Sequence, residues 1–211
     1  VDDAIGDVFD APPSGAHGKQ TNIYAVSSRH SVIQKLVNTL QNEEVNLNVI
    51  DIPEFALGNI CSRLPENETG VALIYLAHNN GLLVFVRQST LYFARTLDFG
   101  YAFLRHNESA TEAESDAQSI SQFDRVVLEV QRSLDFYDRR FVQPHVAGIV
   151  IAPIQVPIPG LAQYIHDKLG INARTLDLND IIQFDHTLDS FKQAMCLTAV
   201  GAALRQVQKS L

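Results

Sequence analysis

The stretch "VALIYLAHNNGLLVFV", Val71 to Val86, constrains the fold of this chain more than any other. An unbroken apolar run meets Asn79, Asn80 and Gly81, which can reverse the backbone, and a second apolar run follows. Period-two patterning then continues, so Gly70 to Phe99 reads as three antiparallel strands turned at Asn80-Gly81 and at Gln88 to Thr90. A strand apolar on both faces must be covered on both, so the first of the three is expected in the middle of a sheet between helices. The fold class is therefore α/β, with mixed sheets flanked by helices.

The flanking text supplies those helices. Ile120, Phe123, Val127, Val130, Leu134, Tyr137 and Phe141 recur at spacings of three and four, the mark of one long helix with a core-facing stripe. "VAGIVIAP" reads as a second buried strand, "GLAQYIHDKLG" as a helix stopped by Gly170, and "NARTLDL" as a strand. A final helix from about Ser190 carries Ala194, Ala199, Gly201, Ala202 and Ala203, small residues expected to lie tight against a sheet. Residues 1–21 read as an irregular arm. In 22–52, "NIYAVS" reads as a strand, Ser27-Ser28 as a cap and Val32, Ile33, Leu36, Val37 and Leu40 as one helix face. "LNVIDI" is expected as a second strand, closing a small right-handed βαβ unit. Asp51, Pro53 and Glu54 open the next helix, within 53–68.

The charge balance excludes some functions. With 24 acidic against 16 basic residues and no Lys/Arg run, the chain offers no track for nucleic acid. Its longest apolar stretch, "VAGIVIAPIQVPIPGLA", is interrupted by prolines and cannot span a bilayer. Cys61 and Cys196 sit in apolar helical contexts and are expected as buried free thiols in a reducing compartment. The sequons at Asn67 and Asn107 would matter only in a secreted protein. The chain starts at Val1 and its only methionine is Met195, so it is expected to be part of a longer polypeptide. His145, His166 and His186 have no ligand-type spacing, and no metal site is expected. His78 reads as a turn residue, since no nucleophile or orienting carboxylate accompanies it. Arg132, Asp135, Asp138, Arg139 and Arg140 read as a solvated helix end.

Three stretches carry a family resemblance: "IYAVSSRHSVIQKLVNTLQNEEVNLNVIDIPEFAL", "VQRSLDFYDRRF" and "IVIAPIQVPIPGLAQYIHDKLGINARTLDL". Over most of its length the chain resembles the PilM-like type IV pilus assembly proteins, and among them the mannose-sensitive haemagglutinin (MSHA) pilus relative MshI. The resemblance implies an actin-like, FtsA-like fold, truncated at its N-terminus. Residues 53–68 would belong to the first domain, 69–188 would form the second, and 189–211 would return to the first.

Such proteins are similar to FtsA and carry ATP between two domains, on two phosphate hairpins and a glycine pair. The first hairpin would precede Val1. At the second, the Asp position falls on Tyr75, the Gly on Ala77 and the hydroxyl pair on Gly81 and Leu82; at the third motif the glycines fall on Ala152, Pro153 and Ile154. The implied cleft is Tyr75, Ala77, His78, Asn79, Asn80, Gly81, Ala152, Pro153, Ile154 and Gln155. Each departure costs nucleotide binding. Tyr75 cannot hold Mg²⁺ as a carboxylate does, Ala77 adds a Cβ beside phosphate, Pro153 removes a donor, and Ile154 is branched where adenosine would lie.

The resemblance therefore implies a pseudo-ATPase with no catalytic residue, metal or cofactor, working as a scaffold in pilus biogenesis. Its partner would be the cytoplasmic tail of a PilN-like inner-membrane protein, along with other assembly-platform proteins, and it would sit in the cytoplasm at the bacterial inner membrane. Ile23, Tyr24, Ala25, Val26 and Ser27 are the expected wall of the partner groove. Two alternatives stand beside this: a working ATP-binding protein that uses ATP and Mg²⁺, and a GspL-like type II secretion domain that binds a secretion ATPase.

Overall fold

The computed structural model describes residues 3–14, 22–105, 112–141 and 143–205, with backbone alone for 112–120. Its centre is a five-stranded mixed sheet in the order β5-β4-β3-β6-β7. β3 (Val71–Leu76), β4 (Gly81–Arg87) and β5 (Thr90–Leu97) form an antiparallel meander. β6 (Gly148–Ile151) runs parallel to β3, and β7 (Asn172–Thr175) parallel to β6. The apolar run of β3 thus occupies the central position that its two-sided hydrophobicity demands.

Helices cover both faces. On one, α3 (Glu112–Arg140) lays Phe123, Val126, Val130, Leu134 and Tyr137 over Ile74, Leu83 and Phe85, joined by α4 (Leu161–Leu169) through Leu161 and Ile165. On the other, α2 (Pro53–Cys61) and α5 (Ser190–Ala203) bury Leu57, Ile60 and Leu197 against Leu73, Val84 and Val150. Gly160 and Gly170 bracket α4 at φ +81° and +69°, a backbone that favours glycine. The β4–β5 turn puts Gln88 and Ser89 at φ +48° and +58° without a glycine. Buried Asn67 holds it: its side chain accepts from the Ser89 N–H at 2.7 Å and its carbonyl from the Gln88 N–H at 2.7 Å.

The N-terminal region departs from expectation. Residues 4–11 are not an irregular arm; β1 (Ala4–Ala11) pairs antiparallel with β2 (Asn22–Arg29). "LNVIDI" forms no strand, so 22–52 is not a βαβ unit, and the small subdomain is a β1–β2 ribbon followed by α1 (His30–Asn42). Ser27 and Ser28 lie within β2 and do not cap α1. Asp3 caps it across the ribbon: its carbonyl accepts from the His30 N–H at 2.7 Å and its carboxylate from the Ser31 hydroxyl at 3.2 Å.

Two further expectations change. The small residues of α5 meet a helix: a Cβ on Gly201 would land on the Ala56 carbonyl of α2, so Gly201 sets how closely the two helices approach. Cys61 is buried and free, but Cys196 is exposed. The sequon at Asn107 lies outside the described residues.

Candidate functional site

Parallel pairing of β3 with β6 sends both strands' C-terminal ends to one side of the sheet, where ligand crevices of α/β folds form. The β3–β4 turn and the loop after β6 meet there. The turn is a tight one: the Ala77 N–H donates to the Asn80 carbonyl at 2.8 Å, and His78, Asn79 and Asn80 are exposed. Gly81 opens β4 where a Cβ would come within 2.8 Å of the Tyr75 carbonyl.

The turn's carbonyls are used by the segment that follows β5. Ala77 accepts from the Tyr101 N–H at 2.8 Å and His78 from the Ala102 N–H at 3.0 Å. Gly100 permits this approach, because any side chain there would collide with the Ala77 and His78 carbonyls. Tyr101 then spans the crevice. Its ring stands edge-on to His78 at 5.3 Å, and its hydroxyl donates to Gln155 Oε1 at 2.8 Å. Gln155 in turn donates to the Met195 sulfur of α5 at 3.0 Å, while the His78 ring pairs with Asn79 at 2.7 Å.

Among the other cleft residues, Tyr75 is half-buried against the core layer beneath α2 and α5. Ala152 is buried, its N–H donating to the Ile74 carbonyl at 2.8 Å, and Ile154 packs into the core layer beneath α3. Pro153 and Ile154 also border an open groove of about 840 Å³ at the ends of β6 and β7. Pro157, Ile158 and Thr175 line it further, and its carboxylates are Asp177 and Asp189 with no lysine or arginine. The Asn179 N–H, then the Gln193 and Asn179 side chains, hold the Asp177 carboxyl below its ordinary range. Buried Gln193 forms the floor, accepting from the Leu178 N–H at 2.7 Å and donating to Asp177 at 2.8 Å and to the Leu188 carbonyl at 2.9 Å.

The residues expected to wall a partner groove do not share one face. Ile23, Ala25 and Ser27 are exposed, whereas Tyr24 and Val26 alternate to the opposite side and are half-buried. The Tyr24 hydroxyl donates to the Tyr92 carbonyl of β5 at 2.7 Å, and burial pushes its pKa up to about 12. Sequence reasoning misses Tyr101 and Gln193, which organise the crevice; the glycine before Tyr101 is the one local signal. Among the described residues no His/Cys/Asp/Glu group could hold a metal ion. No described helix is long and apolar enough to cross a membrane.

The chain has the actin-like ATPase fold. It is similar, at 18% identity and a TM-score of 0.70, to a chain of the "PilM-PilN type IV pilus biogenesis complex", covering 97% of this sequence and 67% of that chain. It also matches the ethanolamine utilization protein EutJ of Carboxydothermus hydrogenoformans at 12% identity and a TM-score of 0.48, over 81% of this chain and 60% of that one. A Bacteroides thetaiotaomicron protein of actin-like ATPase fold matches at 11% identity and a TM-score of 0.44, over 94% and 60% of the two chains. The chain thus spans 60–67% of the length of these structures. No protein-family pattern and no curated protein matches it.

Proposed function

We propose that this chain is a non-catalytic actin-like scaffold of type IV pilus assembly, of the MSHA type, which holds the cytoplasmic tail of a PilN-like inner-membrane protein. The observation that carries the reading is its likeness, over 97% of its length, to a chain of the PilM-PilN type IV pilus biogenesis complex. Among the described strands β2 pairs with β1 alone, so its other edge can take the tail as an added strand, with Ile23, Ala25 and Ser27 facing outward beside it. The site would lie in the cytoplasm at the inner membrane, within reach of other assembly-platform proteins.

The pseudo-ATPase part of the proposal rests on fit. The β3–β4 turn supplies no carboxylate for Mg²⁺, and its carbonyls point at the Gly100–Ala102 backbone. Tyr101 bonded to Gln155 bars the crevice, and the adjoining groove is lined by the carboxylates of Asp177 and Asp189, the second of which already holds Lys192 at its margin at 3.4 Å. The residues present do not fit Mg-ATP. A second reading, a protein that binds ATP, is favoured by one observation, the open groove of about 840 Å³ at the strand ends.

Calorimetry on the full-length protein separates the two. The scaffold reading expects no heat from Mg-ATP up to millimolar concentration, and saturable binding of the partner's tail peptide that Ile23→Asp abolishes. Nucleotide binding at micromolar affinity, about −8 kcal/mol, would overturn it.

A further inference from the structure

On the outer side of β5, away from the crevice and from the outward face of β2, lies a second groove of about 430 Å³ lined by Phe93, Arg95, Arg132, Phe136 and Arg139. Phe136 of α3 is 45% exposed and rests on Phe93 of β5 with ring centroids 4.6 Å apart, giving the groove an aromatic floor. Three guanidinium groups rim it against two carboxylates. Glu129 is shared between Arg95 at 2.7 Å and Arg132 at 2.8 Å. Arg139, 82% exposed, has a 3.9 Å approach to Asp135. Among the described residues the rim thus carries one more positive than negative charge, on a chain with eight more acidic than basic residues.

β5 is also the edge of the sheet. Its inner side pairs with β4, and no other described strand pairs with its outer side. The Tyr24 hydroxyl reaches only its first residues, at the Leu91 and Tyr92 carbonyls. Charged side chains on an edge strand often serve only to prevent aggregation, and Arg95 alone would fit that role. The tilted Phe93–Phe136 pair does the opposite, because exposed Phe136 leaves apolar surface beside open backbone.

We propose that this edge is a docking site for an extended acidic segment of another protein. The segment adds a strand to β5 from Phe93 onward, places alternate apolar side chains on Phe93 and Phe136, and sets its carboxylates against Arg132 and Arg139. The guanidinium fork matches a carboxylate in two hydrogen bonds, so acidic side chains are the chemistry this rim selects. The backbone edge selects a peptide over a lipid headgroup. The groove shares no lining residue with β2 or the crevice, and β2 meets β5 through the Tyr24 hydroxyl at Leu91 and Tyr92, ahead of the proposed docking stretch.

The test uses the full chain and a fluorescein-labelled dodecapeptide of alternating Glu and Val, followed by anisotropy. Saturable binding is expected that weakens at least tenfold in Arg132→Glu/Arg139→Glu and falls as salt rises. Both arginines are largely exposed, so the double variant should stay folded, its melting temperature lower by only the few degrees that lost surface pairs with Glu129 and Asp135 cost. Phe136→Ala keeps every charge and should weaken binding about threefold through the lost aromatic floor. A Lys-Val peptide should not bind, and Ile23→Asp should leave Glu-Val binding unchanged. Equal affinity in the double arginine variant, equal binding of the Lys-Val peptide, or binding of anionic phosphatidylserine vesicles in place of the peptide would overturn the proposal.

Discussion

The central sheet and the β1–β2–α1 subdomain are built from similar residues and held together in different ways. β3 and β4 bury nearly every side chain, with Leu73, Ile74, Leu83, Val84 and Phe85 fully enclosed between two helical layers. In β1, β2 and α1 no residue is fully buried, and Val8, Ile23, Val32 and Leu36 are largely exposed. The subdomain is fastened by a few directional contacts: Phe9 edge-on to Phe55 of α2 at 4.9 Å, Tyr24 on the β5 carbonyls, and Asp3 capping α1. A two-stranded ribbon is marginal by itself, so its order depends on those contacts and on whatever covers its exposed face. Stability resides in the sheet, and adaptable surface in the ribbon.

The largest expected effect breaks the sheet's helical cover. Gly201→Val drives a branched side chain into the Ala56 carbonyl, so α2 and α5 must separate; a loss of about 3 kcal/mol or more in urea unfolding is expected. Next is the paired contrast of Ile74→Ala with Val8→Ala. Fully buried Ile74 should cost about 3 kcal/mol, whereas Val8, 61% exposed, should cost under about 0.5 kcal/mol. Equal costs would mean that the ribbon is as much a part of the cooperative unit as the sheet.

This contrast also explains what the sequence reveals. Burial writes itself into patterns: the all-apolar text of β3 gives its central place, and the stripe from Phe123 to Tyr137 gives α3. The ribbon has no core to impose a pattern. "AIGDVFDA" carries Gly6, Asp7 and Asp10, poor strand formers, and becomes a strand only because β2 lies alongside it. "LNVIDI" sets Val49 and Ile50 side by side, breaking the alternation of a half-buried strand, and stays irregular without pairing to any described strand. At the crevice the positions of Ala77, Pro153 and Ile154 are legible from the family resemblance. Tyr101 is not, because its role comes from the fold bringing it between His78 and Gln155, residues distant from each other in sequence.

A smaller effect is expected from Glu66 and Arg174, which tie the turn before β3 to β7 with hydrogen bonds of 2.6 and 2.9 Å. Arg174 holds the Glu66 carboxyl below its ordinary range. A carboxyl depressed in the folded state stabilises above its unfolded pKa of about 4.3 and loses that contribution as pH falls through the lower folded value. The pair is partly exposed and screened, so Glu66→Gln should cost about 1 kcal/mol at pH 7 and nothing near pH 2. Urea melts at the two pH values check this, and a cost that persists at pH 2 would assign the effect to packing over Gly148, where an added Cβ would come within 2.9 Å of Glu66 Cγ.

The smallest global effect should come with the largest local one. Tyr24→Phe removes one hydroxyl, shared between the Tyr92 carbonyl at 2.7 Å and the Leu91 carbonyl at 3.2 Å, and keeps the ring, so global stability should fall by no more than about 1 kcal/mol. The ribbon has few other fastenings, and its amides should exchange with solvent about tenfold faster while those of β3 and β4 do not change. The wild-type protein offers the same break by pH. Because burial raises the Tyr24 pKa to about 12, the protonated hydroxyl stabilises docking fully below the unfolded value of about 10 and progressively less as pH rises toward the folded one. A ribbon that loosens in wild type over that alkaline range, and is already loose at neutral pH in Tyr24→Phe, would locate the fastening in one O–H bond. Unchanged exchange in the variant would transfer that role to Phe9 and Phe55, and the ribbon would then be held, like the sheet, by burial.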